Sequence, residues 1–195
     1  MLKRIFIICF VLCTIIFVVK SLLYANDNFS SLQCDMVMEG SGMGVTRGKL
    51  FIKGDKVRME TDMPDETGGS TISLFNGEKA YIYFPSQNMA MGISTSQAKE
   101  QMPIPKDYKE IYKASGEETI DGRLCDIYEY RDPKGQVCKI WVARDIEFPV
   151  QSIVGGLKTY YKNIRTNITL DDTLFSLPSG VKIQYMNELI QQMDK

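Results

Sequence analysis

The sequence predicts a mainly β protein built on a single strongly curved antiparallel sheet. Three observations lead there. From Ser31 onward apolar and polar residues alternate with period two, tight-turn pairs separate the runs at hairpin spacing, and helical patterning is confined to a break at residues 94–113 and the C-terminus. Consecutive hairpins with one apolar face must close on themselves, form a sandwich, or curl around something. A strongly curved sheet with residues 94–113 laid across its concave side satisfies both the periodicity and the place of the break.

The first 25 residues are a separate object. Lys3 and Arg4 precede an apolar run from Ile5 to Val19, followed by Lys20 and "SLLYAND", with Ala25 as the expected last residue before cleavage. That run is short of the roughly 18 to 20 residues a membrane-spanning helix needs. The reading is a signal peptide at 1–25 and one domain at 26–195, exported in soluble form, with an uncleaved membrane anchor as the lesser alternative because Leu23 is not the small residue preferred three positions from the cut. Neither Cys9 nor Cys13 follows the small residue a lipid-attachment site requires. Removing Lys3, Arg4 and Lys20, and no acid, leaves 20 basic against 24 acidic groups, a net of -4. No basic stripe for nucleic acid or an anionic membrane remains.

Within the domain, Cys34, Met36 and Met38 alternate with Asp35, Val37 and Glu39 as the first strand. "GKLFIKGDKVRMET" follows, two runs hinged on Gly54-Asp55, because Gly accepts positive φ and Asp tolerates it. A two-residue loop sets Lys53 opposite Lys56, Ile52 opposite Val57, Leu50 opposite Met59 and Lys49 opposite Glu60. One face then carries Leu50, Ile52, Val57 and Met59, and the other a Phe51/Arg58 contact of cation-π character. "ISLFNGEKAYIYFP" is the next hairpin, with Asn76-Gly77 at its tip. A four-residue tip at "PSQN" sets Phe84 opposite Met89 and Ile82 opposite Met91, with Tyr81 and Tyr83 on the other face.

Residues 94–113 read as two short helical stretches broken by "MPIP", and they carry Met102, Ile104, Tyr108, Ile111 and Tyr112. Either they are a connection covering one end of the sheet or they form a movable lid. Strands resume in "EETIDGRLCDIYEYRDPKGQVCKIWVA", with tips at Asp121-Gly122 and "DPKG". Cys138, Ile140 and Val142 fall on one face of the last run, Val137 and Trp141 on the other, with Cys138 opposite Glu129. Cys125 is then about 13 Å along the ribbon at roughly 3.3 Å per residue, too far for a bridge to Cys138, while a bridge from Cys34 stays open. "FPVQSIV", "KTYYKNI" and "LFSLPSGVKI" complete about ten strands, and Tyr185 to Lys195 reads as a short C-terminal helix.

Catalytic options are few. With no histidine in the chain, neither a Ser-His-Asp triad nor an imidazole metal site can be built within it. Glu117, Glu118, Asp121 and Asp126 cluster at strand and turn positions that suit a solvated surface, and no nucleophile elbow or phosphate-cradling loop is present. The expectation is a protein that is not an enzyme and uses no cofactor or metal.

Three stretches resemble the periplasmic carriers of the bacterial Lol lipoprotein-sorting pathway and their LolA/LolB-like relatives. "GKLFIKGDKVRMETDMP", with Arg58 and Pro64, resembles their second hairpin; "FNGEKAYIYFP" resembles their Asp-Gly-Lys-aromatic hairpin; "DDTLFSLPSGVKI" resembles their C-terminal Phe-x-x-Pro-x-Gly-Val segment. The resemblance implies an unclosed barrel that holds acyl chains on its concave face beneath helical lids, with short helices over that side. It departs from the carriers in lacking a long first helix and in placing Gly54-Asp55 where they have an Arg-Pro turn.

On that resemblance the cavity residues are Leu50, Ile52, Val57, Met59, Ile82, Phe84, Met89, Met91, Ile140 and Val142, and the lid residues Met102, Ile104, Tyr108 and Ile111. Partners would be lipid or lipoprotein acyl chains, with an inner-membrane exporter and an outer-membrane acceptor if the protein shuttles. Such a protein works as a monomer in the periplasm. Methionine supports an adaptable lining, and equally fills an ordinary core. The competing function is a structural, interaction or envelope-sensing domain of the same fold whose core fills itself.

Overall fold

A computed structural model describes residues 28–40, 44–62, 69–76, 79–94, 114–131 and 135–185. Its twelve strands form one sheet: β1 (Ser31–Gly40), β2 (Gly44–Lys53), β3 (Lys56–Asp62), β4 (Ser70–Asn76), β5 (Lys79–Phe84), β6 (Met89–Ser94), β7 (Ala114–Ile120), β8 (Arg123–Arg131), β9 (Val137–Ala143), β10 (Phe148–Val154), β11 (Leu157–Thr166) and β12 (Lys182–Tyr185). The spatial order is β12-β6-β5-β4-β3-β2-β1-β11-β10-β9-β8-β7. The sheet is curved and does not close, as the sequence predicts.

Two antiparallel meanders meet at β1. β1 to β6 step outward on one side, and β11 back to β7 step outward on the other, so β6 and β7 stand at opposite flanks. Residues 95–113 join them and lie outside the described residues, as do the four lid candidates, the leader and the segment after Tyr185. Tyr185 itself is the last residue of β12, which pairs in parallel with β6. It is strand, not the start of a helix.

The opening hairpin has the predicted register, Leu50 opposite Met59 and Ile52 opposite Val57, around Gly54 at φ 56°. Phe84 faces Met89 and Ile82 faces Met91 across a 3-10 turn at Pro85–Gln87. Gly48 sits where a Cβ would run into the carbonyl oxygen of Glu60, so β2 and β3 approach more closely there than a side chain permits.

The second meander differs by one residue from expectation. Arg131 pairs with Val137, so five residues rather than four lie between the partners, and Cys138 faces Tyr130, while Glu129 pairs with Lys139 in a salt bridge. Cys125 faces Ala143. Since Cys125 packs in the main core and Cys138 in a cluster on the opposite face, the two thiols cannot meet. Cys34, Cys125 and Cys138 are all free and buried.

After β11 the chain crosses the outer face as a strap. Asn167 N donates to Ser31 O at 2.8 Å, and Ser31 Oγ to Ile168 O at 2.5 Å. Lys53 Nζ donates to Leu170 O and Arg58 Nη1 to Leu174 O, each at 2.9 Å. Asn88 Nδ2 donates to Gly180 O, and Lys182 N to Asn88 O, delivering β12 to the edge of β6. Beneath the strap Phe51 packs with Leu170 and Phe175. Phe51 is therefore covered by the strap and makes no cation-π contact with Arg58, whose Nε donates to Glu60 Oε1 at 2.7 Å instead.

Candidate functional site

Side chains of β1–β6 on the face opposite the strap line up in transverse rows, because paired residues on neighbouring strands share a face. The row nearest the Gly54 turn holds Leu32, Ile52, Val57, Phe75 and Ala80. The middle row holds Cys34, Leu50, Met59, Ser73, Ile82 and Met91. The third includes Met36, Gly48, Thr61 and Thr71. Leu32, Leu50 and Ile52 are fully buried, and no residue in these rows carries a charge.

Of the predicted cavity residues, Leu50, Ile52, Val57, Met59 and Ile82 belong to one cluster, with Phe84 packed against it. Met91 is buried in the middle row, and Met89 pairs with Phe84. Ile140 and Val142 are not on this face. They pack with Tyr128, Tyr130 and Cys138 in a separate cluster, and it is their neighbours Trp141 and Ala143 that join the main one. The reason is alternation: neighbours in a strand point to opposite sides, and only the pairing of β1 with β11 decides which side of β9 is which.

The second meander reaches the same core through rings. Phe148 stands edge-on to Phe29 and to Tyr161, at centroid separations of 6.3 and 5.2 Å. Burial pushes the Tyr161 phenol and the Cys34 thiol up from their ordinary pKa values, with Cys34 and Asp35 respectively adding to each shift. Both groups are neutral, apolar-acting wall at any ordinary pH. Trp141 Nε1 donates to Glu118 Oε2 at 2.6 Å, so one of the four predicted surface acids serves the core's rim. Arg144 bridges Glu117 and Asp126, as a solvated surface cluster would.

Sequence reasoning missed Ser73. Its hydroxyl is buried between Met59 and Ile82 and has no hydrogen-bond partner among the described residues. One step along β4, Thr71 Oγ1 and Thr61 Oγ1 share a hydrogen bond of 2.6 Å. The signal was an inverted alternation in "TISLFN": Thr71 and Ser73 face the core while Leu74 lies on the strap side with Arg58.

A second concavity, about 620 Å³, lies on the outer face among Asp35, Arg47, Lys49, Glu60, Tyr160 and Lys162. Its groups largely answer one another: Tyr160 Oη donates to Glu39 at 2.6 Å, Asn163 Nδ2 donates to Asp35 at 2.7 Å, and Lys158 and Lys162 flank the Tyr160 ring.

With this geometry in hand, comparison with known proteins decides the family. A family described as Domain of unknown function (DUF4412) matches residues 31–149, from β1 into β10. The chain belongs to the DUF4412 family. A curated relative, the uncharacterized protein MJ0687 of Methanocaldococcus jannaschii, is 23% identical over 183 residues, covering 85% of this chain and 52% of that protein. The DUF4412 chain thus spans about half the length of this relative.

Among solved structures, an uncharacterized conserved protein from Thermus thermophilus superposes with a TM-score of 0.62 at 9% identity, over 85% of this chain and 97% of its own. MucB follows at 0.53 and 14% identity, over 84% and 63%. A LolA superfamily protein, NE2245 of Nitrosomonas europaea, aligns at 0.40 and 14%, over 80% and 96%. At these identities the likeness is one of fold. In architecture, one large curved sheet that stays open, this DUF4412 protein has a divergent LolA-like fold.

Proposed function

We propose that this DUF4412 protein is an exported, periplasmic binding protein or carrier for lipids, lipoprotein acyl chains or another amphiphile, held on the apolar face of β1–β6. The observation that carries the reading is an uncharged apolar face on an unclosed sheet, on which no second sheet and no helix is laid among the described residues. A sandwich would bury such a face against its partner sheet. Here the strap occupies the other side, and the apolar rows meet Trp141, Phe148, Val150 and Tyr161 of the second meander, between which and the rows a ligand would lie.

We take the connection between β6 and β7 as the cover. β6 and β7 lie ten strand intervals apart, roughly 48 Å along a flat sheet at about 4.8 Å per interval. The intervening 19 residues, 95–113, reach at most about 65 Å fully extended. Met102, Ile104, Tyr108 and Ile111 on that connection are the lid of the proposed receptacle. Leu50, Ile52, Val57, Met59, Ile82, Phe84, Met89 and Met91 are its wall, and the methionines there suit flexible chains. An inner-membrane exporter and an outer-membrane acceptor complete the scheme if the cargo is a lipoprotein.

One observation favours a second reading, a self-filled domain used for protein interaction or envelope sensing. Leu32, Leu50 and Ile52 are fully buried in one cluster with Phe148, Val150 and Tyr161 of the second meander. The two readings separate on Leu50→Glu, with the exposed Lys49→Gln as control. Protein purified from an envelope fraction is extracted with organic solvent and analysed by mass spectrometry beside thermal melts. A receptacle loses its lipid while the sheet stays folded. A packed core unfolds, since burying an unpaired carboxylate costs several kcal/mol out of a typical ~5 to 15 kcal/mol. A wild-type protein without lipid, or a folded Leu50→Glu with wild-type lipid, defeats the carrier.

A further inference from the structure

We infer that Ser73 is the polar handle of the receptacle and selects ligands with a neutral carbonyl part-way along an apolar body, as in an acyl ester or amide. The inference rests on the carrier reading and narrows its ligand class.

The middle row is apolar from Cys34 to Met91 except at its centre, where the Ser73 hydroxyl stands between Met59 and Ile82. That hydroxyl is 3% exposed as a residue and has no hydrogen-bond partner among the described residues. An unpaired buried hydroxyl costs free energy, and an apolar residue of similar size would remove the cost. A ligand carbonyl that accepts from Ser73 Oγ removes it too. Because water is excluded there, that hydrogen bond is made without competition.

The neighbouring rows give the ligand a direction. Toward the Gly54 turn come Ile52, Val57, Phe75 and Ala80, which suit a hydrocarbon tail. Away from it, about 7 Å along β4, lies the Thr61–Thr71 hydroxyl pair, both residues buried. That pair uses one of its two hydroxyl protons internally, whereas the Ser73 hydroxyl makes no hydrogen bond at all among the described residues. The rows contain no lysine, arginine or histidine. A carboxylate or phosphate would lie there without a counter-charge, so the recognised group is neutral, and any charged headgroup must reach past the third row to solvent.

The test uses delipidated full-domain protein and displacement of an apolar fluorescent probe by methyl palmitate and by a hydrocarbon of equal chain length. Wild type is expected to prefer the ester by about 3- to 10-fold, the range a net hydrogen bond supplies. Ser73→Ala should lose that preference while holding hydrocarbon affinity and thermal stability. The infrared carbonyl band of carbon-13 labelled ester should shift to lower frequency on wild type and not on Ser73→Ala. An ester preference or a band shift that survives in Ser73→Ala overturns the inference alone, as does wild type binding both compounds equally. Wild type that binds neither the probe nor either compound overturns the carrier reading, and the inference with it.

Discussion

Phe175→Ala tests the strap. Phe175 is 3% exposed and sits on Phe51 and Leu170, on the side of the sheet away from the proposed receptacle. Truncating a buried phenylalanine costs about 3 to 5 kcal/mol. We take the lower end, about 3 kcal/mol, because Ile168 and Leu174 at the rim are only partly buried and can close in. At about 2 to 4 °C per kcal/mol for a domain of this size, the melting temperature should fall by about 6 to 12 °C. The loss should be global, because the strap is tied to β1, β2, β3 and the β5–β6 turn in succession before it becomes β12. Circular dichroism melts and urea titrations of the wild type, Phe175→Ala and the surface control Lys49→Gln, which makes no bond to the strap, are the assay. A Phe175→Ala melt within about 2 °C of wild type would show that the strap folds independently of the sheet, and the reasoning would fail.

Two further outcomes follow from charge and chemistry. Hydrogen bonds from Lys56 and then Lys53 hold the Asp172 carboxyl below its ordinary pKa of 3.8. Such a group stabilises the fold above its unfolded pKa and loses that contribution as pH falls through the folded value. Asp172→Asn should therefore be slightly less stable than wild type at neutral pH, by a small amount since the pair is exposed, and converge on wild type below about pH 4, which flattens its acid limb; a limb parallel to wild type in a pH series of melts would count against it. Native protein should resist thiol reagents at Cys34, Cys125 and Cys138 and label fully in denaturant, and non-reducing peptide maps should recover no linkage between Cys125 and Cys138.

What was legible in the sequence was whatever a short loop decides. Two residues between Lys53 and Lys56 fix the Leu50–Met59 pair, and four between Phe84 and Met89 fix Ile82–Met91. The longer loop after Arg131 left room for an error of one, and the error moved Cys138 from Glu129 to Tyr130. Choosing a face for Ile140 and Val142 was harder still. Their hairpin shows its own alternation, but its orientation against β2 and β3 runs through the β1–β11 pairing, between residues more than 110 positions apart. Ser73 was hidden for a different reason. Ile72 and Leu74 look like the inward residues of β4, yet Leu74 pairs with Arg58 on the outer face and is buried there.

The residues that make the chain resemble the Lol carriers say more about the frame than about the cargo. Arg58 donates to the strap at Leu174 O, Phe175 is the strap's buried anchor, and Gly180, at φ 79°, presents the carbonyl that Asn88 holds. All three act on or along the strap, not in the rows around Ser73. An outer strap that ties β1 to the β6 edge resists flattening of the sheet. Arg58, Phe175 and Gly180 can therefore be shared between proteins with different ligands, or with none, because none of these three lies in the apolar rows. On the proposed carrier reading, ligand identity is to be sought in the middle row, where a single hydroxyl interrupts an apolar wall.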